Sequence, residues 1–366
     1  MTRIRDFRLY RTRLRCKKPF QIASGVSDVC TGLVLELRTE GGVSGWGEAV
    51  PLPYLTGETV EGCQAALSQL LVPAILGLQP WSFETAHQRM NRVTSAHPSA
   101  RAAVDLALHD LTGRLWKTPV AELLGGECQP VLTNYSIGLT SADEAGEEAF
   151  GLVEEGYHAI KLKVGSDPDE DVRRVKSVRG AIGPEIKLRI DANEGWNLID
   201  ASRALTRMEP FNVELVEQPL PRWDLKGAAT LRSRTRIPIA ADEGVKDARD
   251  ALRSIEAGAV DIINIKLMKC GGLHPARQIV TLARIHGIQL MVGGMVGESS
   301  LAVSAAASLA AAFNFEYADL DADLLLADQI SQEDSLPLID SHRCPQRRPG
   351  LGLGETRAEL LTLLSR

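Results

Sequence analysis

Seven charged residues lie in or beside short apolar runs of this chain, four of them at a steady interval, and their types could do chemistry together. Lys161 and Lys163 lie in the run Ile160 to Val164, Asp191 precedes Ala192-Asn193, and Glu217 precedes Gln218-Pro219. Asp242 precedes Glu243, Lys266 follows Ile265, and Asp319 follows Ala318. From Asp191 to Glu217, Asp242 and Lys266 the steps are 26, 25 and 24 residues. Each residue closes a short apolar run, where an unpaired charge would be costly. Three carboxylates brought together suit a hard divalent cation such as magnesium, which keeps positions open for water or substrate oxygens. Such an ion stabilises the charge that develops when a proton leaves a carbon next to a carboxylate. A lysine crowded by a second cation, as Lys163 is by Lys161, is expected to have a lowered pKa and to serve as a base. A facing lysine, Lys266, can return the proton from the other side, which means inversion of that carbon.

The elements that must position these groups follow from the pattern. Strand-like runs end at Ser136, Val164, Asn193, Pro219, Glu243, Met268, Met295 and Asp321, with helical stretches of 10–15 residues between them. Repeated strand–helix alternation predicts an α/β chain with a (β/α)8 barrel, whose active site gathers at the strand C-termini. Lys161 and Lys163 are two apart and share one strand face. Strands two and six lie across the ring, so Lys163 and Lys266 are expected to face each other. Before the barrel, residues 3–13, 31–39 and 43–48 read as antiparallel strands, and 57–76, 82–95 and 98–117 as helices. The domains expected are an α+β capping domain over 1–125, a barrel over 126–325 and a C-terminal segment, 326–366, packing back on the cap.

Composition excludes other classes. The chain has 366 residues, 44% hydrophobic, with a formal net charge of -6 and no basic stripe, so nucleic acid is not an expected partner. No apolar run is long enough to cross a bilayer, and no apolar segment follows the opening Met-Thr-Arg-Ile-Arg-Asp. Cys16, Cys30, Cys63, Cys128, Cys270 and Cys344 are scattered without a CxxC pair, which argues against a thiolate metal site and suits a reducing cytoplasm.

Lys161-x-Lys163, Asp191-Ala-Asn, Glu217-Gln-Pro, Asp242-Glu and Lys266 together resemble the enolase superfamily, muconate-lactonizing subgroup. The resemblance spans the chain and implies a modified TIM barrel beneath a capping domain, one magnesium ion per subunit, and a homo-oligomer. The superfamily's use of a lysine base with magnesium is an established pattern. Within the subgroup, Asp319-x-Asp321 resembles the dipeptide epimerases, such as L-Ala-D/L-Glu epimerase, where the acidic pair holds the substrate ammonium. The alternative for this pair is capping a helix over Leu324–Leu326, for which Asp323 is nearer. Where an arginine for the glutamate side chain is expected, this chain has Ser24, and a second capping loop carries Tyr54 and no charge. The resemblance therefore implies an epimerase of L-X dipeptides with an apolar second residue. Lys161, Asp319, Asp321, Ser24 and Tyr54 are the expected substrate contacts. A cycloisomerase, an o-succinylbenzoate synthase, an N-acylamino acid racemase and a non-catalytic barrel that binds a metal and a carboxylate are the alternatives.

Overall fold

A computed structural model of the chain describes residues 1–22, 25–332 and 336–365. Alternating apolar and polar residues make the first strands. β1 (Ile4–Ile22) pairs antiparallel with β2 (Gly25–Thr39), which pairs with β3 (Ser44–Ala49). A helical run follows: α1 (Val60–Ala65), a π-helical turn (Ala66–Leu71) and α2 (Val72–Ile75), then α3 (Phe83–Val93), α4 (Pro98–Trp116) and α5 (Val120–Leu123). α4 lies on the sheet through Ala103, Ala107 and Leu111, so closely that a side chain at Gly47 would meet the Ala103 carbonyl at 1.9 Å.

β4 (Val131–Leu132) leads into eight parallel strands. They are β5 (Tyr135–Ile137), β6 (Ala159–Lys163), β7 (Lys187–Asp191), β8 (Val213–Glu217), β9 (Ile239–Ala241), β10 (Ile262–Ile265), β11 (Gln289–Gly293) and β12 (Tyr317–Asp319), hydrogen-bonded in chain order. Between them run α6 (Ala142–Glu154), α7 (Pro168–Ile182), α8 (Leu198–Met208), α9 (Leu225–Arg232), α10 (Ala248–Glu256), the pair α11 (Leu267–Cys270) and α12 (Leu273–Ile285), and α13 (Ser300–Phe313). Their starts are set locally. Ser141 and Glu144 form a capping box on α6, and the Asp167, Asn197 and Asp247 side chains accept backbone N–H bonds on α7, α8 and α10.

Two features depart from a simple eightfold repeat. β12 is followed by turns instead of a helix, and Asp323 caps nothing: its carboxylate pairs with buried Arg343. The ladder also stops between β12 and β5. Side chains bridge that seam: Asn134 Nδ2 donates to Asp319 Oδ1 (2.6 Å), Ser136 N to Asp321 Oδ2 (2.7 Å) and Leu320 N to Thr133 Oγ1 (2.8 Å). Beyond it, β13 (Leu338–Ile339) and β14 (His342–Arg343) join β4 in a small sheet, and β15 (Thr362–Ser365) pairs with β1, so the tail returns to the first sheet. No described helix is long and apolar enough to cross a membrane.

Candidate active site

Strand ends deliver the charged side chains to one place. Lys161, Lys163, Asp191, Glu217, Asp242, Lys266, Asp319 and Asp321 are all buried, none more than 7% exposed. In β6 and β7, Lys163 and Asp191 stand directly opposite in register, and Asp191 stands opposite Glu217 in β8. Lys163 Nζ lies 2.7 Å from Asp191 Oδ2 and 3.0 Å from Asn193 Oδ1. Lys161 Nζ lies 3.0 Å from Asp191 Oδ2 and 2.6 Å from both Glu217 Oε2 and Asp319 Oδ2. Lys266 Nζ lies 2.8 Å from Asp242 Oδ2. It has room because a side chain at Gly293 would press on Lys266 Cε at 2.9 Å and on Asn264.

Lys269 and Asn264 escaped the sequence reading, and Glu243 was given no role there. Lys269 donates to Asp242 from α11 and is 3% exposed. Asn264 Nδ2 donates to Glu217 Oε1 (2.7 Å). Asn193 Nδ2 reaches Glu243 Oε1 (3.1 Å), which ties Glu243 to the Lys163 side of the site. Lys269 follows Lys266 by one turn of a short helix, and that spacing was a usable signal. Trp196, by contrast, packs away from the site and donates to Asp171 (3.0 Å).

Acids outnumber cations here. Asp191, Glu217, Asp242, Glu243, Asp319 and Asp321 face Lys161, Lys163, Lys266 and Lys269, six against four. The acids respond accordingly. Burial, with Asp191 nearby, pushes Glu217 up to about 6. Burial beside Asp242 pushes Glu243 up to about 8, and burial beside Asp319 pushes Asp321 up to about 7. Asp191, Asp242 and Asp319 are buried too, but adjacent lysines outweigh that cost and hold them below the usual carboxylate range. Burial also works against Lys161 and Lys266, yet Asp191, Asp319 and Glu217 around the first and Asp242 around the second keep both well above the usual lysine range. Lys161 therefore stays a cation whose charge is compensated by three carboxylates, partners that the sequence reading of it as a crowding charge did not include.

The donor set suits a hard cation. Glu217 Oε2 and Asp242 Oδ2 are buried and lack a hydrogen bond of good geometry, although each lies within ion-pair distance of a lysine. Charge proximity without alignment leaves lone pairs available. Among the described residues, no trio of acidic, histidine or cysteine side chains is already gathered around one point, since lysine ammoniums stand between the acids.

Above the acids lies a narrow cleft of about 50 Å³, bordered by Lys163, Lys266, Asn193, Asp242, Glu243, Ser136, Asp319 and Asp321. Its remaining wall is apolar: Leu52, Tyr54 and Leu55 from the capping region, and Met295, Val296, Ala322 and Leu325 from the barrel. Tyr54, an expected substrate contact, borders this cleft, whereas Ser24 lies outside the described residues.

Residues 5–125 match the mandelate racemase / muconate lactonizing enzyme N-terminal domain, and residues 144–357 match the enolase C-terminal domain-like family. This chain belongs to the enolase superfamily. Among its superfamily relatives, the hydrophobic dipeptide epimerase of Enterococcus faecalis is 39% identical over 87% of this chain and 90% of its own length. The crystal structure of the dipeptide epimerase from Enterococcus faecalis V583, complexed with Mg and the dipeptide L-Leu-L-Tyr, superposes with a TM-score of 0.93 at 36% identity, covering 96% of this chain and 100% of that one. The N-succinyl Arg/Lys racemase of Bacillus cereus superposes with a TM-score of 0.93 at 32% identity, covering 98% of this chain and 96% of that one.

Proposed function

We propose that this chain is a magnesium-dependent dipeptide epimerase that inverts the α-carbon of the C-terminal residue in L-X dipeptides with an apolar second residue. One observation carries the reading: two lysines, from strands four places apart in the ring, border one cleft whose rim holds an acidic pair. The relatives' names and the Mg–dipeptide complex point the same way.

Asp191, Glu217 and Asp242 would hold the ion, whose positive charge would take up the acid excess. When bound, the ion supplies charge stabilisation to the substrate carboxylate as the α-proton leaves. Lys163 Nζ and Lys266 Nζ carry the proton transfers: one, as the free amine, takes the α-proton, and the other, as an ammonium, gives its own proton to the opposite face. Asn193 and Asp191 aim Lys163, and Asp242 aims Lys266. Lys161 remains charged and holds Asp191, Glu217 and Asp319 in place.

The acidic pair divides its work. Asp319 already accepts from Lys161, Asn134 and Ser136 Oγ, whereas Asp321 accepts Ser136 N through Oδ2. Asp321 is the member with capacity for the substrate ammonium, and Asp319 fixes Lys161. Leu52, Tyr54, Leu55 and Met295 make an apolar surround for the dipeptide side chains, with Ser24 leaving the first capping loop uncharged. Residues 1–125 form the cap and 126–325 the barrel, with 326–366 returning to the cap except where β13 and β14 join β4. The compartment is the cytoplasm, supported by six free thiols, and the enzyme is a homo-oligomer.

The test is incubation of dipeptide pools with the protein and magnesium in deuterium oxide, followed by mass spectrometry. Deuterium is expected at the C-terminal residue's α-carbon in apolar dipeptides. An absence of α-exchange in every dipeptide would overturn the reading.

A further inference from the structure

The apolar roof of the cleft is a tight turn built on itself. Leu55 N and Thr56 N both donate to Leu52 O (3.0 and 2.8 Å), and the Thr56 hydroxyl closes the same ring. Its far end is anchored within the capping region: Glu58, 3% exposed, accepts from Ser99 N and Ala100 N at the start of α4. Nothing in that anchor sets how high Leu52, Tyr54 and Leu55 stand above the barrel.

A barrel residue reaches up to the turn. Arg222 Nη1 donates to the Tyr54 carbonyl (3.3 Å). Arg222 is itself gripped by Glu194, which takes its backbone N (2.6 Å) and its Nε (2.9 Å) on Oε1 and its Nη2 on Oε2. A fork-on-fork pair of this kind fixes direction as well as distance. The ground beneath it is rigid. Asn193 and Glu194 adopt left-handed φ of 42° and 67°, and Gln218 has φ 37°, conformations that side-chain-bearing residues adopt at a cost. Glu194 N donates to Gln218 O (2.9 Å), and Gln218 Oε1 accepts from Asp242 N (3.0 Å) and Gly244 N (3.1 Å). The loops after β7, β8 and β9, which carry Asp191, Glu217 and Asp242, are therefore joined into one platform, and Arg222 projects from it.

We propose that Arg222, oriented by Glu194, is a positioning residue that sets the height of the Tyr54 turn over the cleft, and thereby determines how well the enzyme holds the side chains of a dipeptide. Arg222 touches none of the proton-transfer lysines, so its effect falls on substrate binding. The proposal rests on the epimerase reading for its kinetic consequence, but not for its structural one.

The experiment therefore has two arms, using full-length wild type, Arg222→Ala, Arg222→Lys and Glu194→Gln. In the first, hydrogen–deuterium exchange is followed in the free protein. Arg222→Ala is expected to speed exchange of the Leu52–Gly57 amides at least five-fold while leaving α4 unchanged, with Arg222→Lys restoring only part of the protection because an ammonium cannot copy the fork. In the second, α-proton exchange of L-Ala-L-Phe is measured with magnesium. Arg222→Ala is expected to raise KM about ten-fold and to lower kcat less than three-fold, with Glu194→Gln in between. Unchanged protection of Leu52–Gly57 in Arg222→Ala, or a kcat that falls as far as KM rises, would overturn the clasp. If wild type exchanges no dipeptide, the epimerase reading fails while the first arm still decides the clasp.

Discussion

Two regions of this molecule bury carboxylates completely, and they satisfy them in opposite ways. At the junction of cap and barrel, helix ends and histidines do the work. Asp105 in α4 accepts from Leu273 N (2.5 Å) and His274 N (3.3 Å) at the start of α12, and from His87 Nε2 (2.7 Å). A side chain at Gly272 would collide with it, which explains that glycine. Glu48 in β3 accepts from Ser299 N (3.1 Å), Ser299 Oγ (2.8 Å) and Ala302 N (3.2 Å) at the start of α13. Free N–H groups and the helix dipole make such ends natural seats for a carboxylate. At the barrel mouth, by contrast, acids are met by lysine ammoniums, outnumber them and keep unaligned oxygens. The first arrangement holds two parts of the fold together. The second keeps charge imperfectly matched, which is what a site that must accept an ion, an ammonium and a moving proton requires.

The largest effects should separate the two regions. Lys163→Ala and Lys266→Ala are each expected to cut epimerisation about a thousand-fold or more, the scale of losing a positioned acid or base. Asp105→Ala is expected to leave the rate per folded molecule within a few-fold while costing about 3 kcal/mol in denaturant unfolding, because two helix N–H groups and His87 lose their buried acceptor. Epimerisation followed by chiral chromatography beside urea titrations checks both. Should either lysine variant keep more than a tenth of the rate, the contrast collapses.

A smaller effect tests the division within the acidic pair. Asp321→Asn is expected to raise KM for a dipeptide about thirty-fold or more with little loss in kcat, the size of a buried charge-assisted hydrogen bond. Asp319→Asn is expected to act mainly on kcat, roughly ten-fold, because Lys161 loses a charged partner at 2.6 Å and one of the β5–β12 seam bonds is weakened. Steady-state kinetics on both variants decides. An unchanged KM in Asp321→Asn would favour a substrate without a free ammonium, such as an N-acylamino acid.

This contrast also marks what was legible in the sequence. Apolar runs ending in one charge recur along the chain itself, so Asp191, Glu217, Asp242, Lys163 and Lys266 could be placed at strand ends from spacing alone. Asp319 and Asp321 could be found, but their unequal bonding could not, since Asn134 and Ser136 approach across the β5–β12 seam from 185 and 183 residues away in the chain. Asp105 and Glu48 sit inside apolar stretches, and their partners are 168 and 251 residues away. Local pattern carries no trace of such contacts. The missing helix after β12 was hidden for a related reason: Leu324–Leu326 has a helical composition, yet Asp323 is drawn to Arg343 in the tail.

The last effect concerns pH and again divides the regions. Glu298 is fully buried beside Glu48, accepts Met295 N (3.1 Å), and also faces Asp323 and Lys266. Burial first, then the Glu48 charge, pushes it up to about 8, and burial pushes Glu48 up to about 7. Both therefore hold more protons folded than unfolded between about pH 4.5 and 8. Stability contributed by these groups is complete below about 4.5, declines as pH rises through that window, and is level above it. Glu298→Gln keeps the acceptor for Met295 N and removes the titration. Its melting temperature should match wild type at pH 5 and exceed it by several degrees at pH 8.5, a difference on the order of 3 kcal/mol. Parallel melting curves for the two proteins would sink the assignment and would mean that the junction tolerates a second buried charge as readily as the barrel mouth does.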